Sequence, residues 1–289
     1  MIMAMRVFDV FPFFNELDLL EIRLNTLNEF VDEFIITEAD KTFSGLDKPY
    51  FASQAVDRFK QFAHKITIQR VTDIPMSLNP FERDCFQRDQ VREILRKKMS
   101  GEDLLIYGDV DEIPNPQTLE IAIRNHMNPQ IFFMHFAQDV YYCYFNQKET
   151  SGTFLSYTGE YNFIFKKKWL GTNISKWSYS QNFAPSDLRD PKHKKNGVRL
   201  KNGGWHFSYI GSEGIISTKE RVEKKIKSAA HQEFNQPNFL NNLSENIVNS
   251  RDIFSRKRSR YVVLSDLSYL PAYILNNLAN YENLIKEIK

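Results

Sequence analysis

The sequence predicts an α/β fold in which a mixed sheet is flanked by helices. First, strand-like apolar runs alternate with helical apolar spacing through the first 126 residues, which is typical of parallel strands joined by helices. Second, Leu104–Tyr107 is an uninterrupted apolar run of the kind found in strands buried on both faces. Third, strand-like runs become aromatic and closely spaced from residue 130, which favours a mixed or antiparallel part of the sheet.

The first half of the chain predicts four strands and three helices in alternation. The predicted strands are 6–14, 33–39, 65–71 and 104–107. The first helix begins at Leu17, where apolar residues recur every three or four positions, and the others span about 80–99 and 117–126. A proline at position 116 suits the start of the last of these helices.

The second half predicts fewer helices between its strands. Strand-like runs occupy 131–145, 161–165 and 203–210, and 171–202 is predicted to be an irregular loop rich in Asn, Ser, Lys and Pro. Residues 215–230 and about 237–289 are predicted to be mainly helical. No internal repeat is visible.

Composition excludes several classes of protein. A net charge of +2 in 289 residues argues against a dedicated nucleic-acid binder, whose affinity rests on neutralising phosphates. No run reaches the roughly 18 apolar residues of a membrane span. With two cysteines, Cys85 and Cys143, a disulfide framework is excluded, and neither has a partner at metal-ligand spacing. We expect a soluble, cytoplasmic protein.

The acidic stretch after the buried run is the first candidate site. Asp109, Asp111 and Glu112 follow Leu104–Tyr107 directly, at the end of a strand where open α/β sheets place their ligands. Three crowded carboxylates need a cation or several donors between them, and a divalent metal carrying a diphosphate satisfies that need. The alternative is a solvated acidic turn.

Other polar side chains are predicted near the same edge of the sheet. Asn15 and Glu16 stand at the start of the first helix, whose free N–H groups can hold a base or phosphates. Glu38 ends the second strand and is placed to accept bonds from ribose or a pyrimidine, or else to cap a helix. Lys48 can reach a phosphate, and Arg88, on a mostly apolar helix face, needs an anionic partner that is either the diphosphate or a structural carboxylate.

His206 is the candidate from the second half. It lies in the strand-like run GGWHFSYI, and an imidazole can complete the shell of a Mn²⁺ ion already held by carboxylates. Gly203 and Gly204 permit close approach of the backbone there. A buried core histidine is the alternative.

Five ordered stretches of this sequence resemble glycosyltransferase family 17, the family of β-1,4-mannosyl-glycoprotein 4-β-N-acetylglucosaminyltransferase-like enzymes. The stretches are FNELDLLEIRLNTL (14–27), ITEADKTFSGLDKP (36–49), DVDEIP (109–114), GGWHFSY (203–209) and SEGI (212–215). The resemblance implies a GT-A-like, Rossmann-type fold, a nucleotide-sugar donor, an Asp-x-Asp metal site and inversion at the anomeric carbon. It also implies a glycosyltransferase domain over residues 1–235, with a nucleotide-binding half of about 1–126 and an acceptor half of about 127–235, followed by a helical extension over 236–289 packed on the same domain.

The resemblance also implies roles for individual residues. Asp111 and His206 are expected to bind Mn²⁺ or Mg²⁺, with Asp109 contacting ribose or the metal through water. Glu213 is the first choice of general base, with Asp139 and Glu160 behind it. Lys227 and His231 are expected to close over the diphosphate, or else to cap and pack a helix.

The expected activity is transfer of GlcNAc from UDP-GlcNAc to a glycan hydroxyl. Because the sequence shows no membrane anchor, we expect a microbial or viral polysaccharide acceptor, in the cytoplasm or at the inner face of a membrane carrying a lipid-linked glycan. Two alternatives stay open at this point. One is a metal-dependent nucleotidyltransferase or phosphohydrolase, which would want a tighter two-metal cluster, and the other is a non-catalytic carbohydrate-binding module.

Overall fold

The computed structural model describes residues 5–126, 128, 130–151, 168–190, 197–256 and 259–288. Its strands are β1 Val7–Phe13, β2 Glu33–Ala39, β3 Ile66–Val71, β4 Leu104–Tyr107, β5 Glu112–Pro114, β6 Phe133–Phe136, β7 Asp139–Tyr142, β8 Gln147–Glu149, β9 Asn173–Lys176, β10 Val198–Leu200, β11 Gly204–Ser208 and β12 Tyr261–Val263. Its α-helices are Leu17–Leu27, Phe51–Gln54, Pro80–Asp89, Arg92–Lys98, Pro116–Asn125, Trp177–Ser180, Thr218–Ser228, Pro237–Leu240, Leu243–Val248 and Ala272–Asn276. Short 3₁₀ helices occupy Val56–Phe62, Pro185–Arg189, Gln232–Phe234 and Leu278–Leu284.

The larger sheet has seven strands in the order β10-β6-β9-β4-β1-β2-β3. Its strands β4, β1, β2 and β3 are mutually parallel, and β9 is antiparallel to both β4 and β6. The carboxyl ends of β1, β2 and β4 therefore meet at one edge, which is where ligands bind in open α/β sheets.

The smaller sheet has five strands in the order β12-β8-β7-β11-β5. The strand β11 lies parallel to β7 and antiparallel to β5, and His206 is opposite Glu112 in the register of β11 and β5. This pairing brings the acidic stretch and the histidine together although almost a hundred residues separate them.

Burial explains why β1 lies at the centre of the fold. Alternate residues of a strand point to opposite faces, and β1 is buried on both. Phe11 packs in the core shared with the helix Leu17–Leu27, whereas Phe8 and Val10 pack on the other side against Val91. Each of these two cores is covered by helices, so the sheet is the middle layer of a three-layer α/β structure.

These observations confirm the predicted α/β class with a mixed sheet flanked by helices. Two details differ from the prediction. The helix predicted over 80–99 is two helices that meet at residues 90 and 91, and 171–202 contains two strands and two short helices within its described residues instead of an irregular loop. The predicted strand 161–165 lies outside the described residues.

The part of the chain after residue 235 is not purely helical. Its strand β12 pairs with β8, and Leu270, Ile274 and Tyr281 join the apolar core beneath β11. The division at residue 235 stays a prediction. Among the described residues, no helix is long and apolar enough to cross a membrane.

Candidate active site

A cavity of about 430 Å³ opens at the carboxyl ends of β1 and β4. The end of β1, the loop after β4, the strand β11 and the helices Pro80–Asp89 and Thr218–Ser228 all contribute to its wall. Its charged and imidazole-bearing lining residues are Glu16, Lys48, Asp84, Arg88, Asp109, Asp111, Arg189, Lys225, His206 and His231. Seven of the predicted site residues are in this set, so the structure brings distant parts of the sequence to one cavity.

The loop after β4 is held from beneath by Arg23. This guanidinium donates from Nη1 to the main-chain oxygens of Asp109 (2.9 Å) and Glu112 (2.8 Å). Its Nε and Nη2 atoms each lie 2.7 Å from a carboxylate oxygen of Asp9. Both side chains are fully buried, so the loop has a rigid base.

Asp109 is neutralised by two arginines. Its Oδ1 lies 2.7 Å from Arg88 Nη1 and its Oδ2 lies 3.0 Å from Arg189 Nη2. Burial alone would raise the pKa of Asp109, but Arg189 and Arg88 hold it below its usual value. The anionic partner predicted for Arg88 is thus Asp109, together with Asp84 at 2.8 Å.

Glu112 supports the cavity wall from behind. Its carboxylate accepts two bonds from Arg189 (2.7 and 2.9 Å), one from Trp169 Nε1 (2.5 Å) and one from the main-chain N–H of Asp109 (2.9 Å). Against the effect of burial, Arg189 lowers the pKa of Glu112 far below its usual range. The third acid of the motif is therefore a fully buried, ionised anchor.

Asp111 faces the cavity between a histidine and a lysine. Its Oδ1 lies 3.8 Å from His206 Nε2, and its Oδ2 accepts a bond from Lys225 Nζ at 2.9 Å. The same ammonium lies 3.1 Å from Glu16 Oε1. The His206 ring packs on the Trp169 ring with centroids 5.0 Å apart, so Glu112 orients this imidazole through Trp169.

Asp111 and His206 have the donor chemistry of a divalent metal site. One carboxylate and one imidazole converge at the wall, which is the ligand chemistry of a Mn²⁺ ion whose remaining positions are filled by phosphate oxygens and water. Within the described ranges, no group of three or more His, Cys, Asp or Glu side chains is arranged to hold a metal alone. Asp111 and His206 therefore fit a metal that arrives with a phosphate-bearing ligand.

Several predicted residues lie elsewhere. Glu38 is fully buried and accepts bonds from the main-chain N–H groups of Ala52 (2.7 Å) and Ser53 (3.1 Å). The structure thus places it in the helix-capping role instead of at the cavity wall. Asp139 pairs with Lys168 at 2.6 Å and with Lys148 at 3.1 Å, and it does not line the cavity.

The remaining candidates flank the cavity. Asn15 and Lys224 both contact the carboxylate of Glu213, which is not a lining residue. Lys227 is exposed and does not line the cavity, and Glu160 lies outside the described residues. The helix Leu17–Leu27 begins after Glu16, and no side chain caps it.

Burial also acts on the cavity's remaining lysine. Lys48 lies 5.8 Å above the rings of both Phe14 and Phe51, and desolvation lowers its pKa. A lysine that is poorly hydrated in this way gains more than an exposed one from an anionic ligand.

Sequence reasoning missed several members of the site, among them Lys225, Arg189 and Trp169, which supply the counter-charges and the ring support. Lys225 lies in a predicted helix, Arg189 in a predicted loop, and Trp169 between a predicted strand and that loop. The three carboxylates within 109–112 indicated that cationic or hydrogen-bonding partners must lie nearby, but they did not indicate which residues these are.

Comparison with known families decides the assignment. The family model described as glycosyltransferase family 17 matches residues 2–285. The chain belongs to glycosyltransferase family 17. The predicted resemblance is confirmed, and this family 17 protein is a glycosyltransferase.

Other comparisons add little to the family 17 assignment. A search of curated proteins finds no match. Among solved structures, the chain is similar to CMP:2-keto-3-deoxy-manno-octonic acid synthetase complexed with CTP, with 13% identity, a TM-score of 0.42, and coverage of 80% of this chain and 99% of that chain. A likeness of this strength carries no argument about the substrate.

The stretches that carry the family 17 resemblance surround the cavity. The first supplies Glu16 and Arg23, the third supplies the acidic loop, and the fourth supplies His206. The second contributes Lys48 and neighbouring residues of its turn. In this family 17 member, four of the five stretches therefore meet at one site.

Proposed function

We propose that this glycosyltransferase is metal-dependent and inverting, and that it transfers GlcNAc from UDP-GlcNAc to a hydroxyl of a glycan or polysaccharide acceptor. The observation that carries the proposal is the convergence of Asp111 and His206 at the wall of the cavity, with 3.8 Å between their nearest side-chain atoms. Asp109, through water, is the third proposed contact of the metal.

The balance of charge in the cavity supports a donor that arrives with a divalent cation. Four acidic and four basic side chains line it, namely Glu16, Asp84, Asp109, Asp111, Lys48, Arg88, Arg189 and Lys225. A nucleotide diphosphate with a bound divalent cation adds almost no net charge to this set. A bare diphosphate would have to be buried beside four carboxylates, which is costly.

The residues of the chain then have distinct roles. Asp111 and His206 would hold a Mn²⁺ or Mg²⁺ ion, whose charge would stabilise the negative charge that develops on the departing UDP. Lys48 and Arg88 bind the nucleotide side of the donor, with Asn15, Glu16 and His231 as further proposed contacts. Trp169 holds the His206 ring in place, and Arg23 fixes the loop that carries Asp109 and Asp111.

An inverting transfer needs a general base that takes the proton of the acceptor hydroxyl. We propose Glu213 first, because its carboxylate is held by Asn15, the neighbour of the cavity residue Glu16, and by Lys224. Asp139 and Glu160 remain the second choices.

The fold and location complete the proposal. The parallel strands β1, β2 and β4 with a site at their carboxyl ends support a GT-A-like, nucleotide-binding half over about 1–126, with an acceptor half to 235 and an extension beyond it. Both cysteines are free, which supports a reducing compartment such as the cytoplasm.

The proposal is tested by ligand-induced stabilisation. Purified protein is heated with UDP, with Mn²⁺, with both and with neither, and then with UDP-GlcNAc, UDP-glucose, UDP-galactose and GDP-mannose in the presence of Mn²⁺. We expect UDP and Mn²⁺ together to raise the Tm, since a ligand at about 100 times its Kd stabilises by about 2.7 kcal/mol. Asp111→Asn and His206→Asn should abolish this shift, and UDP-GlcNAc should give the largest shift of the four donors and be slowly hydrolysed.

The control is Asp47→Asn, an isosteric change at an exposed carboxylate that does not line the cavity. UDP and Mn²⁺ together should raise the Tm of this variant as much as they raise that of wild type. Stabilisation by UDP that is unaffected by chelation of metal would overturn the metal dependence. Release of inorganic phosphate from simple phosphate esters, without hydrolysis of any sugar nucleotide, would overturn the transferase assignment of this cavity.

A further inference from the structure

The ammonium of Lys225 occupies a position between two buried carboxylates. Its Nζ lies 2.9 Å from Asp111 Oδ2 and 3.1 Å from Glu16 Oε1. Both carboxyl groups are almost completely buried, and both line the cavity. A single positive charge thus pairs with two acids that come from different sequence stretches.

The helix Thr218–Ser228 delivers this ammonium from the opposite wall. Its start is fixed by a capping box in which Ser217 accepts a bond from the Glu220 main-chain N–H and Glu220 accepts one from that of Ser217. Val222 and Ile226 bury the inner face of the helix. Lys225 therefore projects into the cavity from a well-anchored helix.

The place that the ammonium occupies has the chemistry of a divalent cation site. Two carboxylate oxygens face one point, and the imidazole of His206 lies beside the nearer acid. Hard divalent cations select such oxygens, and Mg²⁺ binds them at about 2.0–2.1 Å, so the two acids need to approach by about 1 Å each. The second oxygen of Glu16 accepts the main-chain N–H of Asn15 (3.1 Å), which orients the first toward the cavity.

We propose that Glu16 is a protein ligand of the metal, and that Lys225 fills the metal position until the cation and the nucleotide diphosphate bind together. The proposal rests on the metal dependence proposed above and adds a ligand and an exchange to it. When the cation binds, the ammonium leaves Glu16 and Asp111 and pairs with a phosphate oxygen. Glu16 and Asp111 therefore face a cation in both states.

The residue type suits this exchange. A lysine ammonium is a compact charge on a flexible stem, whereas the planar fork of an arginine is held by several bonds at once, as Arg189 is at Glu112. Metal without diphosphate must displace the ammonium into a cavity that offers it no new anion. Metal alone therefore binds weakly, and metal with UDP binds well.

The test measures binding of Mn²⁺ in the absence of nucleotide. Free Mn²⁺ is followed by its electron paramagnetic resonance signal for wild type, Lys225→Met, Lys225→Arg and the control Lys219→Met, which alters an exposed lysine of the same helix. We expect Lys225→Met to bind Mn²⁺ about tenfold more tightly than wild type, because two buried carboxylates are left without a counter-ion. Lys219→Met should stay within about twofold of wild type, since it keeps the ammonium at position 225. Lys225→Arg should bind Mn²⁺ no more tightly than wild type, since a guanidinium held by several bonds is harder to displace.

Two further measurements isolate the roles of Glu16 and of the released ammonium. In the Lys225→Met background, Glu16→Gln should cancel the tighter binding of Mn²⁺. Glu29→Gln should not, because Glu29 is exposed and lies at the other end of the helix Leu17–Leu27. With saturating Mn²⁺, Lys225→Met should weaken UDP binding about tenfold, since a charge-assisted contact is lost. Circular dichroism of each variant verifies that it is folded.

The result that overturns the exchange is equal Mn²⁺ affinity for Lys225→Met and wild type. If Glu16→Gln leaves the affinity of Lys225→Met unchanged, Glu16 is not a ligand. These arms contain no nucleotide and no acceptor, so they are independent of the donor proposal. Failure of wild type to bind UDP with Mn²⁺ would instead overturn the proposed function.

Discussion

Arg23 and Asp9 form a bidentate ion pair in which both side chains are fully buried. The pair joins the first helix to β1, and the free edge of the guanidinium binds the main chain of the acidic loop. Buried ion pairs contribute little net stability compared with apolar replacements, but breaking one leaves an uncompensated charge. The pair is therefore a positioning device for Asp109 and Asp111.

The first prediction concerns this pair. Arg23→Met should lower the free energy of unfolding by about 3–5 kcal/mol, because Asp9 and two carbonyl groups lose their partner. The double variant Asp9→Leu with Arg23→Met should recover part of the stability but not the binding of UDP with Mn²⁺. Urea denaturation and thermal shift measure the two effects.

Arg58 offers a matched control for Arg23. It pairs with Asp18 and with Glu21 of the same helix, but at the surface. Arg58→Met should cost no more than about 1 kcal/mol and should leave UDP binding intact. Equal costs for the two variants would contradict the role assigned to Arg23.

The second prediction concerns Gly204 at the start of β11. Its φ is +112°, and a Cβ there would lie 2.2 Å from the main-chain oxygen of Ile113. Gly204→Ala should therefore cost about 1–3 kcal/mol or more and displace His206 from Asp111, which weakens UDP binding with Mn²⁺. Chemical denaturation and thermal shift report both losses.

Gly214 provides the comparison, because a Cβ there meets no atom within 4 Å. Gly214→Ala should be neutral or slightly stabilising, since it restricts the unfolded chain. If both variants lose the same stability, contact with Ile113 is not what requires glycine at position 204.

The third prediction separates two functions of Trp169. Trp169→Phe keeps a ring against His206 and removes the bond to Glu112, whereas Trp169→Ala removes both. We expect UDP binding with Mn²⁺ to weaken about twofold in the first variant and about tenfold in the second, as an aromatic pair contributes about 0.5–1.5 kcal/mol beyond its buried area. Isothermal titration calorimetry measures both, and similar losses in the two variants would show that the indole N–H, not the ring, positions His206.

The fourth prediction concerns the dependence of stability on pH. Burial lowers the pKa of His126 to about 4, and its Nδ1 lies 3.1 Å from the main-chain oxygen of Ile131. The unfolded chain binds this proton near its ordinary pKa of about 6.5, whereas the folded chain does so only near 4. The free energy of unfolding should therefore fall as the pH drops from about 6.5 to 4, by up to about 3 kcal/mol from this group.

His126→Phe removes the titrating group. Urea denaturation of wild type and His126→Phe at intervals between pH 7 and pH 4 gives the difference in free energy of unfolding. That difference should change with pH in the stated direction. A constant difference would show that His126 is accessible to protons in the folded state.

The fold was largely predictable because its N-terminal half has strong local patterns. The strands Glu33–Ala39 and Leu104–Tyr107 begin and end where the apolar runs do, and the first helix begins at Leu17 as its spacing predicts. The break at residues 90 and 91 was not visible, since the apolar spacing continues through it. Where the local pattern and the tertiary packing agree, the sequence is sufficient to predict the bounds of a strand or helix.

The candidate site was predictable for the acids but not for their partners. Asp109 and Asp111 follow a recognisable strand, and His206 was found through its glycines and the family resemblance. Lys225 and Arg189 reach the same acids from 114 and 80 residues away, and no local pattern distinguishes them from surface cations. Glu38 shows the converse, because a carboxylate at a strand end can equally well turn to cap a neighbouring helix.

The pairing of β5 with β11 has a consequence for the order of events during synthesis. Asp111 precedes one of these strands and His206 lies in the other, so the two halves of the site meet only after the chain has been made well past residue 206 and the long loop between them has closed. The nascent N-terminal half can form its parallel strands early while remaining unable to capture a sugar nucleotide. Ligand capture would then serve as a reporter of completed folding on the ribosome.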